Sequence, residues 1–246
     1  MSKINADTIK TSNPNVDITL GAAGDAVLIP TGATLKTNKI ADAGGNNIIT
    51  SDGSGNLTVN SGFEVGSGAM KLLTTNTFTD QASSAFTSNI DSTYDVYIWK
   101  FNAINPATDD ANLTFQVSTD GGSSYGMTAT TSYFSAKQTQ TGTGQSLAYE
   151  TTYDAYQSTS YLNLAVGIGN GADECAVGEL YIFTPSNTSF VKQWYATVQF
   201  YHEAEYTFTG WINGYFNSTS DIDAINFKMN SGNMDGQIKM YAWSKS

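Results

Sequence analysis

The stretch that decides the fold is residues 178–216, which read GELYIFTPSNTSFVKQWYATVQFYHEAEYTFTGWINGYF. Aromatic and β-branched residues, which favour strands, are concentrated here in short runs. Pro185-Ser186-Asn187 ends the first run, and Asn213-Gly214 lies between Trp211-Ile212 and Tyr215-Phe216. An Asn-Gly pair between apolar residues is a strong signal for a two-residue hairpin turn. The stretch therefore predicts several neighbouring antiparallel strands, with a hairpin turn at Asn213-Gly214.

The same pattern of short apolar runs and turn residues extends through residues 70–246. No helical periodicity is present, residues 83–91 predict a loop or short turn, and Asp120-Gly121-Gly122 predicts a turn. About eight to ten strands in this length predict a two-layer antiparallel sandwich, jelly-roll-like in type. The predicted strands are 71–79, 94–101, 112–117, 161–168, 178–184, 190–202, 205–211, 222–229 and 237–243, with a further one that begins at Tyr215.

Residues 137–160 are the least regular part of this region. They are rich in Gln, Thr, Ser and Gly, with Tyr149, Tyr153 and Tyr156 interspersed. This composition predicts an exposed loop or an apical insertion. Flat amphipathic rings bind glycans or protein partners at a low entropic cost. The three tyrosines are therefore candidate receptor contacts, and the alternative is that they pack against a neighbouring subunit.

Residues 1–62 contain no aromatic residue, and Phe63 is the first. A segment with so few large side chains cannot bury enough apolar surface to offset its ordering entropy. It is expected to be a flexible arm, or an extended β segment wrapped around copies of itself in a trimeric stem. A glycine-rich linker at 62–68 places the domain boundary near residue 69, between domains 1–69 and 70–246. The short apolar runs of the segment are Val16-Ile18-Leu20, Val27-Leu28-Ile29, Ile48-Ile49 and Leu57-Val59.

The charge balance excludes several classes of partner. The chain has 22 acidic and 11 basic residues, a net charge of −11, and no arginine. Such a surface repels phosphate backbones and anionic membrane surfaces, so we expect no nucleic-acid binding. No apolar run reaches the length of about 18 residues that a transmembrane helix needs, so we expect no membrane insertion. The first residues lack the apolar core of a signal peptide, which predicts synthesis in a cytoplasm. Cys175 is the only cysteine, so no intrachain disulfide can form, and with one histidine no zinc site can be built.

Candidate catalytic residues are few. His202 is the only histidine, and no nucleophile motif accompanies it. Carboxylate pairs are found at Asp109-Asp110, Asp173-Glu174, Glu203/Glu205 and Asp221/Asp223, and solvated loop charges are the favoured interpretation. A calcium site at Asp109-Asp110 or Asp221/Asp223 is a minor alternative, because oxygen clusters in loops bind calcium. The sequence therefore predicts a non-enzymatic protein without a cofactor.

Several segments resemble virion structural proteins of marine tailed phages, especially cyanophages. The resemblance lies in MSKINADTIKT, VDITLGAAGD and VLIPTGATL near the start, then in IADAGGNNIITSDGSGNLTVN. Further along, STDGGSSY at 118–125 and SGNMDGQIKMY at 231–241 resemble the C-terminal sandwich domains of such proteins. This resemblance implies a fibre-like or decorating virion component of tail-fibre or capsid-fibre type, without enzymatic activity. Such a protein would be made in the bacterial cytoplasm and located in the virion. It transfers no catalytic residue to this chain.

Together these observations predict a homotrimeric virion appendage. Residues 1–69 would dock it to other virion proteins, and the sandwich would attach to the host surface through a glycan. The alternative is a protein that decorates and stabilises a capsid without binding a receptor. A carbohydrate-active enzyme is the third hypothesis, which the missing acid/base pair disfavours.

Overall fold

Antiparallel strands dominate the computed structural model, which describes residues 39–41, 47–54, 57–59 and 70–243. The chain divides into two units, Met1–Glu64 and Val65–Ser246. A short 3-10 turn, η1 (Thr151–Tyr153), follows the ninth strand. The strands are β1 (Lys39–Ala41), β2 (Asn47–Ser51), β3 (Leu57–Val59), β4 (Met70–Gln81), β5 (Ser84–Phe86), β6 (Val96–Pro106), β7 (Ala111–Ser118), β8 (Ala129–Thr139), β9 (Ser146–Tyr149), β10 (Leu162–Ile168), β11 (Ala176–Phe183), β12 (Lys192–His202), β13 (Tyr206–Phe216), β14 (Ala224–Met229) and β15 (Met234–Trp243).

In the N-terminal unit, β1, β2 and β3 form a small antiparallel sheet in that order. Ile49 of β2 lies opposite Ile40 on one side and Val59 on the other. Ser54 donates its backbone N–H to the Asp52 carboxylate at 2.7 Å, just after the end of β2. The apolar runs predicted as strands at residues 48–49 and 57–59 are confirmed. The two runs before residue 30 and the predicted linker lie outside the described residues, so the arm and the stem both remain predictions.

The C-terminal unit has two layers that share one hydrophobic core. The layer that we call the broad sheet has the order β4-β15-β6-β11-β12-β13-β8-β9, and the narrow sheet has the order β10-β7-β14-β5. The layers join where Ile168 of β10 pairs with His202 of β12. Near the opposite edge, the Asn76 amide of β4 donates to the Ala85 carbonyl of β5 at 3.1 Å. The prediction of an all-β chain with an antiparallel, sandwich-like C-terminal domain is confirmed.

Aromatic rings from both layers meet in the core. Phe115 of β7 contacts Trp194 of β12 edge to face, with centroids 4.9 Å apart, and it lies 6.0 Å from Phe216 of β13. Phe227 of β14 packs 5.3 Å from Phe101 of β6. These rings project from alternate positions of their strands, as the two-residue period of a strand requires. The alternation that the sequence shows in 112–117 therefore marks a true inward face.

The predicted hairpin turn at Asn213-Gly214 is wrong. Both residues lie inside β13, where Asn213 pairs with Tyr195 of β12 and with Ser132 of β8. A type I′ turn needs positive φ at both central residues, and neither residue has it. The true turn between β12 and β13 follows His202, and Glu205 adopts φ 58° there. Eleven residue pairs with β12, and as many with β8, outweigh the local turn preference of two residues.

Sequence patterns also missed β8. Its sequence, ATTSYFSAKQT, contains small polar residues at inward positions, so its apolar alternation is weak. Ser135 is nevertheless fully buried, and its hydroxyl donates to the Glu150 carboxylate at 2.7 Å. The prediction of an irregular loop at 137–160 is wrong for 137–139 and 146–149, which belong to β8 and β9. The predicted loop at 83–91 contains the short strand β5.

Candidate functional site

The outer face of the broad sheet is the most unusual surface of the described domain. On β12, Trp194 and Val198 point inward and are buried, whereas Tyr195 points outward and is 42% exposed. The water-facing side of an antiparallel sheet normally carries polar residues. Here it carries many aromatic rings, and we call the following seven the aromatic band: Phe134, Tyr149, Tyr181, Phe183, Tyr195, Trp211 and Trp243.

Rings of the aromatic band contact each other across strands. Tyr181 and Tyr195 are stacked, with centroids 4.8 Å apart and planes 16° apart. Tyr195 also lies 5.7 Å from Phe183, and Tyr181 lies 6.0 Å from Trp243. Cross-strand aromatic pairs stabilise a sheet, but these rings keep one side towards solvent. From β11 to β9 the band crosses five strands, a width of about 19 Å at the usual strand spacing.

The band is uncharged at neutral pH. Burial, together with the nearby Glu179 carboxylate, raises the pKa of Tyr181 to about 12, so its phenol keeps its proton. Glu179 forms an ion pair with Lys100 of the adjacent strand, with Nζ and Oε2 2.6 Å apart. These two charges neutralise each other beside the rings. The band therefore offers flat, neutral surfaces to a ligand.

A shallow cleft of about 280 Å³ lies beside the band, on β8, β12 and β13. We call it the amide cleft. Among the described residues that line it, none is charged. Gly214 is required here, because a Cβ would come within 2.5 Å of the Thr130 carbonyl oxygen and 3.1 Å of Trp194 Cζ2. The lining residues are Thr130, Thr131, Ser132, Gln193, Trp194, Asn213, Gly214 and Tyr215.

One end of the amide cleft is held by Gln157. Its amide donates to Thr130 Oγ1 at 2.7 Å and to the Tyr215 hydroxyl at 3.4 Å, and its carbonyl oxygen accepts from Asn217 at 2.6 Å. Gln157 has φ 48°, a conformation that costs free energy for a residue with a side chain. Its hydrogen bonds hold it there and fix two lining residues.

The three tyrosines predicted as receptor contacts occupy different environments. Tyr149 and Tyr156 are exposed, and both hydroxyls donate to Asp154 Oδ2, at 2.6 and 3.4 Å. Tyr153 is half-buried, with its ring 5.5 Å from that of Tyr133 at the edge of the core. The structure thus brings Tyr149 and Tyr156 together at one carboxylate, and Tyr149 also packs on Phe134 at 5.0 Å. Receptor contact through all three remains a prediction.

His202 has a structural environment. Its ring stacks on Tyr206, with centroids 4.2 Å apart, and its Nδ1 accepts the Ala204 backbone N–H at 3.1 Å. Burial lowers the pKa of the imidazole, so it is neutral at neutral pH. A Cβ on Gly167 would come within 2.5 Å of its Nε2, so the ring packs directly on that glycine. These contacts fix the turn that joins β12 to β13.

Asp223 and Asp109, which belong to two of the predicted carboxylate pairs, each accept a backbone hydrogen bond. Both oxygens of Asp223 lie 3.0 Å from the Gly121 nitrogen, and Asp109 accepts the Asn170 N–H at 3.2 Å. In the described ranges, no three His, Cys, Asp or Glu side chains form a group that could hold a metal ion. No helix within residues 39–41, 47–54, 57–59 and 70–243 is long and apolar enough to cross a membrane.

Comparison with known proteins gives no further indication of function. No family model, no curated protein and no solved structure matches this chain.

Sequence reasoning missed the aromatic band and the amide cleft. The band needs Trp211 opposite Phe134, and β8 was not predicted as a strand. The amide cleft needs Asn213 and Gly214 inside a strand, where the local signal indicates a turn. One signal was available in the sequence. Tyr195 and Trp211 are large aromatic residues at the outward positions of alternating strands, where polar residues are expected.

Proposed function

We propose that this protein is a non-enzymatic attachment protein of a virion. In this proposal it is a homotrimer, residues 1–69 dock it to other virion proteins, and the C-terminal sandwich faces the host surface. The placement in a virion follows from the sequence resemblance to marine tailed-phage structural proteins. The aromatic band is the observation that carries the attachment function.

A protein that acts alone in water has little reason to expose such a band. Trp211 and Phe134 lie opposite each other on adjacent strands and are each more than 40% exposed. Contiguous exposed rings mark surfaces that another molecule covers. Trp and Tyr are also the residues that contribute most to binding at such surfaces. The band therefore supports a role in recognition.

The other titratable groups also favour recognition over catalysis. The imidazole of His202 is neutral and bonded within a turn, and Asp223 accepts the Gly121 N–H of the loop between β7 and β8. The amide cleft has no carboxylate in its lining, whereas glycoside hydrolysis needs two carboxylates on one cleft. The described residues thus provide a surface for binding.

The test measures attachment of the purified full chain to marine cyanobacterial cells. Saturable binding is expected from a particle with the mass of three chains. Trp211→Ser and Phe134→Ser are expected to lower the affinity at least about tenfold each, because each removes an exposed ring from the band. Phe190→Ser is the control, since Phe190 is 68% exposed in a loop outside the band.

Other outcomes would redirect the proposal. Binding to empty capsids and not to cells would favour a capsid decoration protein. Equal binding by wild-type, Trp211→Ser and Phe134→Ser proteins would show that the band is not the attachment surface. Release of reducing sugar from host polysaccharide would contradict the non-enzymatic role.

A further inference from the structure

We infer that the amide cleft binds a sugar unit of a neutral saccharide. This inference rests on the proposed attachment function and names the class of ligand. It follows from the polar groups of the lining, the rings beside it and the charge of the chain.

The amide cleft offers hydrogen-bonding groups that sugar hydroxyls can use. Ser132 donates its hydroxyl to Asn213 Oδ1 at 2.7 Å, which leaves the Asn213 Nδ2 without a partner within the described residues. The exposed Gln193 amide likewise has no hydrogen-bond partner in that part of the chain. Side-chain amides offer both donors and acceptors, and sugar hydroxyls need both. A polyol supplies hydroxyls that can use both kinds of group.

Trp194 supports the amide cleft from the core side. Its side chain points inward, is 2% exposed and packs on Phe115 of the narrow sheet, with centroids 4.9 Å apart. Its Cζ2 atom would meet a Cβ on Gly214 at 3.1 Å, so the ring packs against the strand that carries Asn213. A tightly packed floor of this kind holds the hydrogen-bonding groups of the outer face in place.

Rings flank the amides on the same face. Tyr215 lines the amide cleft, and Tyr195 lies directly opposite Asn213 across the strand pair. The C–H faces of a sugar are apolar and stack on flat rings while the hydroxyls bond to amides. Binding sites of this kind combine apolar walls with a few placed polar groups. The next sugar units of a chain would lie on the aromatic band.

The uncharged lining and the acidic chain both favour a neutral ligand. The lining holds no cation that could pair with a phosphate, sulfate or carboxylate, and the chain carries a net charge of −11. An anionic saccharide would lose hydration in the cleft and gain no ion pair. It would also be repelled at long range by the acidic surface. Neutral hexose or pentose chains meet neither penalty.

The experiment screens the full-length protein on an array that carries neutral and anionic oligosaccharides. Binding to a neutral oligosaccharide is expected, with an affinity that is unchanged between about 0.05 and about 0.5 M salt. Gln193→Glu is expected to lower that affinity at least about tenfold, because it places a charge in the lining. Gln138→Glu is the matched control, since it adds the same charge at an exposed position of the same face, on β8, outside the cleft.

Asn213→Ala separates the loss of a hydrogen-bonding group from the gain of a charge, and the same loss of affinity is expected. Binding only to anionic oligosaccharides, weakened by salt, would overturn the inference. So would neutral binding that Gln193→Glu and Asn213→Ala leave unchanged. If cells are bound through the band but no neutral oligosaccharide is, the inference falls and the attachment function stands. If neither is bound, both fall.

Discussion

The outer faces of the two sheets differ in what covers them. On the narrow sheet, Gln116 points away from the core and is nevertheless fully buried, because loops cross over it. Its amide donates to the carbonyl oxygens of Met127 at 3.1 Å and Ser160 at 3.0 Å, and its own oxygen accepts the Val117 N–H at 2.8 Å. On the broad sheet, Tyr195 and its neighbours have no such cover within the described residues.

The comparison shows two ways in which the outer face of a sheet can be stabilised in a sandwich. A polar face that the chain itself covers must satisfy most of its buried groups, and the narrow sheet does so at Gln116, whereas Asn226 Oδ1 has no partner among the described residues. Lys228, for example, lies 4.2 Å from the Tyr161 ring centroid, and the Tyr161 hydroxyl accepts from Asn226 at 3.0 Å. An aromatic face has few hydrogen-bonding groups to satisfy, so it can stay open until a partner covers it. Four changes test this difference, from the largest expected effect to the smallest.

Gln116→Leu should cause the largest loss of stability. It leaves the Met127 and Ser160 carbonyl oxygens and the Val117 N–H buried without a side-chain partner, at an expected cost of about 3 kcal/mol in the free energy of unfolding. Urea unfolding measures this value. Gln193→Leu on the broad sheet is the control and should change it by less than about 0.5 kcal/mol. Equal losses at the two positions would contradict the contrast between the faces.

Gly214→Ala should have the next largest effect. The new Cβ would come within 2.5 Å of the Thr130 carbonyl oxygen, so β8 and β13 must move apart, at a cost of about 2 kcal/mol. Thermal unfolding measures it. Gly126→Ala provides the control, because a Cβ there would meet its nearest atom at an ordinary 3.7 Å. A Gly214→Ala protein as stable as Gly126→Ala would argue against close packing beneath the amide cleft.

Trp211→Ser should change stability little, although it removes the largest type of side chain. The ring is 41% exposed on the outer face, so a loss of about 1 kcal/mol or less is expected in urea unfolding. A loss of more than about 3 kcal/mol, typical of a buried ring, would show that the band belongs to the core. The proposed function requires that Trp211→Ser lowers the affinity for cells strongly while it changes the free energy of unfolding little.

The smallest change in stability is expected from Asp120, in the loop between β7 and β8, and it depends on pH. Hydrogen bonds from the Ser118 and Ser124 hydroxyls and the Ser124 N–H lower the pKa of the Asp120 carboxyl to about 2. The folded state thus holds the charged form more strongly than the unfolded state, whose pKa is near 3.8. The stabilisation is complete above about pH 4 and is lost as the pH falls through about 2.

Asp120→Asn should therefore lower the melting temperature slightly at neutral pH and by much less near pH 2. Melting curves of both proteins across this range measure the difference. Asp173→Asn serves as the comparison, because Asp173 is an exposed carboxylate in another loop. A difference between wild type and Asp120→Asn that persists unchanged near pH 2 would exclude the ionised carboxylate as its cause.

Prediction from sequence succeeded where several residues gave the same local signal. The strands at 161–168, 190–202 and 237–243 are rich in apolar and aromatic residues, and all three correspond to observed strands. The turn at Asp120-Gly121-Gly122 is also present, with φ 70° and 84° at the two glycines. Local signals of this kind need no knowledge of distant residues, because they act through backbone propensity and turn chemistry.

The functional face could not be predicted in the same way. Tyr149, Tyr153 and Tyr156 stood out because they interrupt a polar segment, yet the segment contributes a strand to the broad sheet as well as a loop. The groups of the amide cleft come from three strands, and Ser132 is more than 60 residues from Gln193 in sequence. The residue pattern of one sequence does not show which distant residues come together in the fold.

The amino-acid sequence by itself determined that this protein is all-β, with short strands and many turns, because its apolar runs have the two-residue period and its turn residues separate them. Only the tertiary structure decided that Asn213-Gly214 continues a strand, that the polar segment at 129–139 is another, and that Tyr195 and Trp211 share an open face with Phe134. The physical reason is the number of interactions. A turn signal acts through two residues, whereas a strand paired on both sides gains a ladder of hydrogen bonds and side-chain contacts along its whole length.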